Sequence, residues 1–261
     1  MSNLNLSDFE CLELSFLNAK KNVYKAGSGP AVIIMHEAPG IYPAFVSFAR
    51  KVRDEGFTVY MPQLLGKPVN DMGIGFTFEN MAKACISNEF TVWATKEKSP
   101  ITDWLRELAK FAGKECNSKV GAIGMCLTGG FALAMMVEDC VEAPVLSQPS
   151  LPLGVFPSQR RDLGIDDATL NRVKERTRQG ACLMGLRFTN DVLSPGDRFQ
   201  RLKDELKENF IAIEIDSSTG NKHDIPITAH SVLAYHYNDT PGHPTREAYE
   251  KVIQFFKDRL K

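Results

Sequence analysis

Val120-Gly121-Ala122-Ile123-Gly124-Met125-Cys126-Leu127-Thr128-Gly129-Gly130-Phe131 is the stretch on which the fold turns. It opens as an apolar strand, and Gly130 to Val137 has the composition of an apolar helix, so the element changes within a few residues around Cys126. A side chain at so sharp a strand-to-helix turn is held out of the sheet on a strained backbone, and small neighbours are needed because strand and helix pack closely. Gly124, Gly129 and Gly130 supply them. A thiol there also feels the positive end of the helix dipole, which favours the attacking thiolate. The alternative is a Cys126 that is merely small and buried.

Working outward, Ala31 to His36 is a continuous apolar run suited to a strand covered on both faces, followed at once by the turn Ala38-Pro39-Gly40. Phe45, Phe48, Ala49 and Val52 fall at helical spacing, Gly56 ends that helix, and Phe57 to Met61 reads as the next strand. This βαβ unit implies a parallel sheet. Cys11 to Phe16 and Lys20 to Tyr24 read as an antiparallel edge hairpin. Ile101 to Ala112 is expected as a helix, as is Phe78 to Asn88 within the less periodic 63–99. Ala143 to Leu146 is a strand, and Ala181 to Phe188, Pro195 to Asn209, Phe210 to Asp216 and Pro244 to Leu260 restore the strand and helix rhythm. Between them 148–180 carries three prolines and little apolar content, and is expected to be a small insertion or cap. The reading is a single α/β domain over 1–261 with a mostly parallel central sheet flanked by helices.

Composition excludes several function classes. With 31 Lys and Arg against 32 Asp and Glu the net charge is -1, leaving no basic excess for nucleic acid. No apolar run is long enough to span a bilayer, and the polar start lacks a secretory pattern, so a cytoplasmic location is expected. Six cysteines without a C-x-x-C pair give little support to a zinc site or redox dithiol.

A nucleophile elbow predicts an acid and then a histidine further along the chain. The strand running through Phe188 enters a polar turn ending in Asp191, at the carboxyl edge where open α/β sheets place their sites. Alternatively, Asp191 is a turn or cap aspartate. His230, in Ala229-His230-Ser231, lies after the last core strand and before the terminal helix. In this reading His230 takes the proton of Cys126 while Asp191 fixes its tautomer. His36 reads as a core histidine. His223, His230, His236 and His243 recur at loose intervals, but Pro226, Pro241 and Pro244 exclude a shared helix, and no metal is expected.

These segments resemble the dienelactone hydrolase family of α/β-hydrolases, in the glycine-flanked cysteine elbow, in a strand ending with a glutamate before a glycine turn, and in the His-Ser step after the last strand. The resemblance runs over roughly 10–260, leaving 148–180 unmatched. It implies an α/β-hydrolase fold, triad positions for Cys126, Asp191 and His230, the glutamate position for Glu37, and an oxyanion hole from the N–H groups of Leu127 and Ala38. It further implies hydrolysis of a small ester or lactone through a thioester, without cofactor. Acyl transfer or thioester cleavage on the same residues, or a non-catalytic scaffold, are the alternatives. The sequence departs from the family in two places. Thr128 replaces a glycine of the elbow, and the arginines that clamp a substrate carboxylate are missing, Ala234 standing at one position and no arginine occurring in Leu64 to Ser99. Arg160, Arg161 or Arg187 are the possible replacements. Leu151, Leu153, Val155 and Phe156 suggest an apolar wall, and hence a neutral or hydrophobic substrate.

Overall fold

The computed structural model describes residues 4–69, 99–154 and 156–261. The expected helix Phe78 to Asn88 and Val155 lie outside the described residues. Among the described residues eight strands form one sheet: β1 (Glu10–Phe16), β2 (Ala19–Ala26), β3 (Ala31–Met35), β4 (Thr58–Pro62), β5 (Val120–Met125), β6 (Val141–Ser147), β7 (Leu183–Phe188) and β8 (Phe210–Ile215). Their order across the sheet is β1-β2-β4-β3-β5-β6-β7-β8. β1 pairs with β2, and β2 with β4, antiparallel; every later pairing is parallel. The edge hairpin turns through Leu17 and Asn18, both at positive φ, as a two-residue turn matching strand twist requires.

Helices cover both faces. α1 (Pro43–Asp54) and the last helix, α7 (Pro244–Leu260), bury Phe45, Phe48, Val52, Val252 and Phe256 against Val32, Ile34, Val59 and Ile123. The opposite face receives α2 (Pro100–Glu115), α3 (Gly129–Met135), α5 (Asp167–Arg178) and α6 (Gly196–Leu206), whose Trp104, Leu108, Phe131, Leu170 and Phe199 join Ile33, Ala122 and Leu146. Alternate residues of the inner strands thus feed two cores, which is why those strands read as unbroken apolar runs.

Within 148–180 a short helix, α4 (Pro157–Arg160), precedes α5. α5 lies in the chain between the neighbouring parallel strands β6 and β7, so this part of the segment is a crossover helix on the sheet. Its apolar content is low because it buries few side chains, chiefly Leu170 and Val173. Asp166 caps it, accepting the Thr169 N–H at 2.6 Å. Among the described residues no helix is long and apolar enough to cross a membrane.

His36 pins the carboxyl end of β3. Its Nδ1 donates to the Glu37 carbonyl at 3.0 Å, and Nε2 accepts the N–H groups of Leu64 and Leu65 at 3.1 and 3.2 Å. Burial holds this imidazole down to about 4, so it stays neutral. An unfolded histidine takes up a proton below its ordinary 6.5 while the folded one does not, so between 6.5 and 4 the unfolded chain binds more protons and stability falls with acid. The expected loss from this residue is about 3 kcal/mol across that window. Urea denaturation at several pH values checks it: His36→Gln should show a shallower slope, and equal slopes would refute the assignment.

Candidate active site

Cys126 stands at φ 54, in the left-handed region that side chains with a Cβ rarely adopt, at the start of a 3-10 turn (Cys126–Thr128) joining β5 to α3. Such strain persists only where the surroundings impose it. A Cβ on Gly124 would come within 2.0 Å of the Thr128 carbonyl oxygen, and one on Gly129 within 2.6 Å of Pro149 Cα, so both must be glycine. Thr128 tightens the turn rather than loosening it. Its hydroxyl accepts the Met125 N–H at 2.9 Å and faces the carbonyls of Met35, His36 and Met125 at 3.1, 3.1 and 3.0 Å.

The structure brings Cys126, Asp191 and His230 together. Asp191 Oδ2 lies 2.6 Å from His230 Nδ1, and Asp191 Oδ1 accepts the Leu193 N–H at 3.0 Å, which orients the carboxylate. The ring is also hydrogen-bonded to Cys126. With Nδ1 taken, that bond falls to Nε2, which is also 3.5 Å from Ser150 Oγ. Burial works against a charge on His230, but Cys126 and Asp191 outweigh it and raise its pKa well above the ordinary imidazole value.

Glu37 is buried on the loop after β3. Its carboxylate accepts from Ser231 Oγ at 2.5 Å, from Gln148 Nε2 at 2.8 Å and from the Tyr42 hydroxyl. Burial raises its pKa, against the pull of those three donors. All three donors are neutral side chains. Ala38 and Leu127, the two expected oxyanion-hole residues, flank the site as buried members of one core.

Several residues at this edge carried no sequence signal. Ser150 is buried, donates its N–H to the Cys126 carbonyl at 3.0 Å and its hydroxyl to the Gln148 carbonyl at 3.0 Å. Gln148, at φ 35, also donates its N–H to Leu186 at 2.7 Å. His236 Nδ1 accepts the N–H groups of His230 and Ser231 at 3.3 and 3.1 Å, and burial lowers it to about 4. His223 and His243 meet each other edge to face at 5.4 Å, and His243 Nδ1 accepts the Thr245 N–H that opens α7. Of this group the sequence pointed to Ser231, as half of the His-Ser step, and to the recurring histidines, but not to Ser150 or Gln148.

The family model of the dienelactone hydrolases matches residues 16–260. The chain belongs to the dienelactone hydrolase family. Membership makes it a carboxylic ester hydrolase with the α/β-hydrolase fold. A Klebsiella pneumoniae protein assigned to the dienelactone hydrolases superposes with TM-score 0.66 at 15% identity, covering 95% of this chain and 98% of its own. An esterase from Pyrococcus furiosus gives 0.60 at 15%, covering 97% and 94%. A dienelactone hydrolase from Anabaena variabilis gives 0.59 at 13%, covering 97% and 100%. No match is found among curated proteins.

Against the family pattern, the arginines considered as replacement clamps are engaged elsewhere. Arg187 donates to the carbonyls of Ser194 and Thr189 and to Glu214, all at 2.8 Å, and so braces the loop bearing Asp191. Arg160 pairs with Asp197 at 2.9 Å and Arg161 with Asp204 at 2.8 Å. Arg198, unforeseen and almost fully buried, donates to the carbonyls of Pro149, Pro152 and Asp162 at 2.5, 2.6 and 2.7 Å, stapling the loop after β6. Of the expected apolar wall, Leu151 and Leu153 turn into the core while Phe156 is exposed.

Thr128→Val keeps the shape of the elbow and removes its hydroxyl, stranding the buried Met125 N–H. It should cost about 2 kcal/mol in denaturant unfolding, with Thr128→Ser near wild type. A Val variant as stable as wild type would show that the hydroxyl contributes nothing.

Proposed function

We propose that the enzyme opens small carboxylic esters or lactones through a thioester on Cys126, with His230 and Asp191 completing the triad. The observation that carries this reading is one part-buried imidazole bonded to Asp191 on one side and Cys126 on the other, with Cys126 itself on left-handed backbone. His230 Nε2 accepts the thiol proton, and Asp191 stabilises the imidazolium. The thiolate attacks the ester carbonyl, whose oxygen collects negative charge facing the Leu127 and Ala38 N–H groups. The carbon–oxygen bond breaks as His230 returns the proton to the leaving alkoxide. Water, deprotonated by His230, then cleaves the thioester, releasing the acid and restoring the thiol. No cofactor or metal enters these steps.

Glu37 acts beside the triad: its carboxylate raises the cost of a resting thiolate and, through Ser231, steadies the His230 loop. Ser150 commits its proton to Gln148 and so turns a lone pair toward Nε2, supporting the imidazolium. We read 1–261 as one domain, because both cores share one sheet, and a cysteine nucleophile suits the reducing cytoplasm.

The test uses p-nitrophenyl acetate with denaturing mass spectrometry. Expected is an acyl adduct on the Cys126 peptide, released by neutral hydroxylamine as a thioester should be, and loss of turnover by roughly a thousandfold or more in Cys126→Ala, His230→Ala and Asp191→Asn. An adduct on another residue, or normal kinetics in folded Cys126→Ala, would overturn the reading. Ser150→Ala should lower kcat/KM by roughly tenfold, with Ser150→Thr restoring most of it.

A further inference from the structure

We propose that the substrate is an uncharged ester or lactone whose apolar arm rests on Phe156, Val192 and Tyr235 at the mouth of the Cys126 site. The inference depends on the Cys126 reading and names the substrate class of that site.

Among the described residues, six large apolar side chains stand exposed: Leu17, Phe156, Val192, Ile211, Ile227 and Tyr235. Leu17 belongs to the hairpin turn, and Ile211 lies near the amino end of β8. The other four lie beyond the carboxyl ends of β6, β7 and β8, on the loops that carry Ser150, Asp191 and His230. These loops meet at the histidine, whose ring is 2.6 Å from Asp191 and 3.5 Å from Ser150. Val192, 79% exposed, follows Asp191 directly. Tyr235, 58% exposed, stacks edge to face on His236 at 4.9 Å, and His236 holds the backbone of His230 and Ser231. Phe156, 62% exposed, ends the loop that begins at Gln148.

Solvated apolar area gains by covering another apolar group, and apolar residues concentrated around one reactive edge mark a ligand surface. Four described arginines of the same region point the same way. A substrate carboxylate needs a free cation to replace its hydration, best a bidentate guanidinium. Arg187 and Arg198 spend their guanidinium groups on loop carbonyls, with Glu214 added for Arg187, while Arg160 and Arg161 are paired with Asp197 and Asp204. Freeing any of them would strand a carbonyl or break an ion pair. An uncharged acyl or alkoxy arm requires none of this.

The test is kcat/KM for p-nitrophenyl acetate, butanoate and hexanoate, and for mono-p-nitrophenyl glutarate, which sets a carboxylate at the end of a similar chain. A fully buried methylene is worth roughly fourfold, so partial burial of the longer arm should raise kcat/KM about tenfold or more from acetate to hexanoate. The glutarate should fall below butanoate. Phe156→Ser with Tyr235→Ser should bring the hexanoate-to-acetate ratio back toward one, while Phe156→Leu with Tyr235→Phe keeps most of it. A flat chain-length profile, preference for the glutarate, or an unchanged ratio in the serine double variant would overturn the proposal. So would a dimer in light scattering that the serine variant splits, since the rim would then be an interface between copies. Absence of Cys126-dependent turnover of every ester, acetate included, would instead strike the reading beneath it.

Discussion

One hydroxyl holds the ends of the two central strands in register. Thr128 Oγ1 takes the Met125 N–H from β5 and faces the last carbonyls of β3, and this bridge sits directly beneath Cys126. Residues at the carboxyl ends of parallel strands have exhausted their ladder partners, so their N–H and carbonyl groups need satisfaction from outside the sheet. A buried hydroxyl supplies it where a glycine would leave them bare. The left-handed backbone at Cys126 is affordable in that setting because Gly124 and Gly129 let the turn close on Thr128 and Pro149 without a clash.

The same logic extends outward through buried polar groups. Glu37 gathers Tyr42, Gln148 and Ser231 from three separate loops, and Gln148 in turn touches the carbonyl of Leu186 at β7. A buried carboxylate is costly unless its lone pairs are met, so any loop movement that breaks one of these bonds is opposed by desolvation. Arg187 and Arg198 do for the loops after β7 and β6 what Glu37 does for the loop after β3: each converts several orphan carbonyls into partners of one charge. His230 is therefore held both by what it touches chemically and by a frame of neighbours that fix its backbone.

Much of this was legible in the chain. The strand and helix periods of β3, α1 and β5 were plain because central strands buried on both faces read as continuous apolar runs and amphipathic helices repeat at 3.6. That Cys126, Asp191 and His230 would meet at one edge was legible because an elbow needs small residues and the partners it predicts follow in a set order at strand ends, while Glu37 was named only through the family resemblance. The segment 148–180 was harder, since α5 buries few residues and sits among prolines; only its place between neighbouring parallel strands reveals a crossover.

The sequence by itself determined the element order, the parallel core and the residue types able to perform acyl chemistry, because these depend on local spacing and composition. Tertiary structure alone decided which polar groups face one another. Nothing in the spacing of Ser150 and His230, or of Gln148 and Glu37, brings them together; the sheet order does, by setting the carboxyl ends of β3, β5, β6 and β7 side by side. It also decided that four arginines serve the frame, since whether a guanidinium is free or engaged depends on which carbonyls and carboxylates the fold leaves beside it.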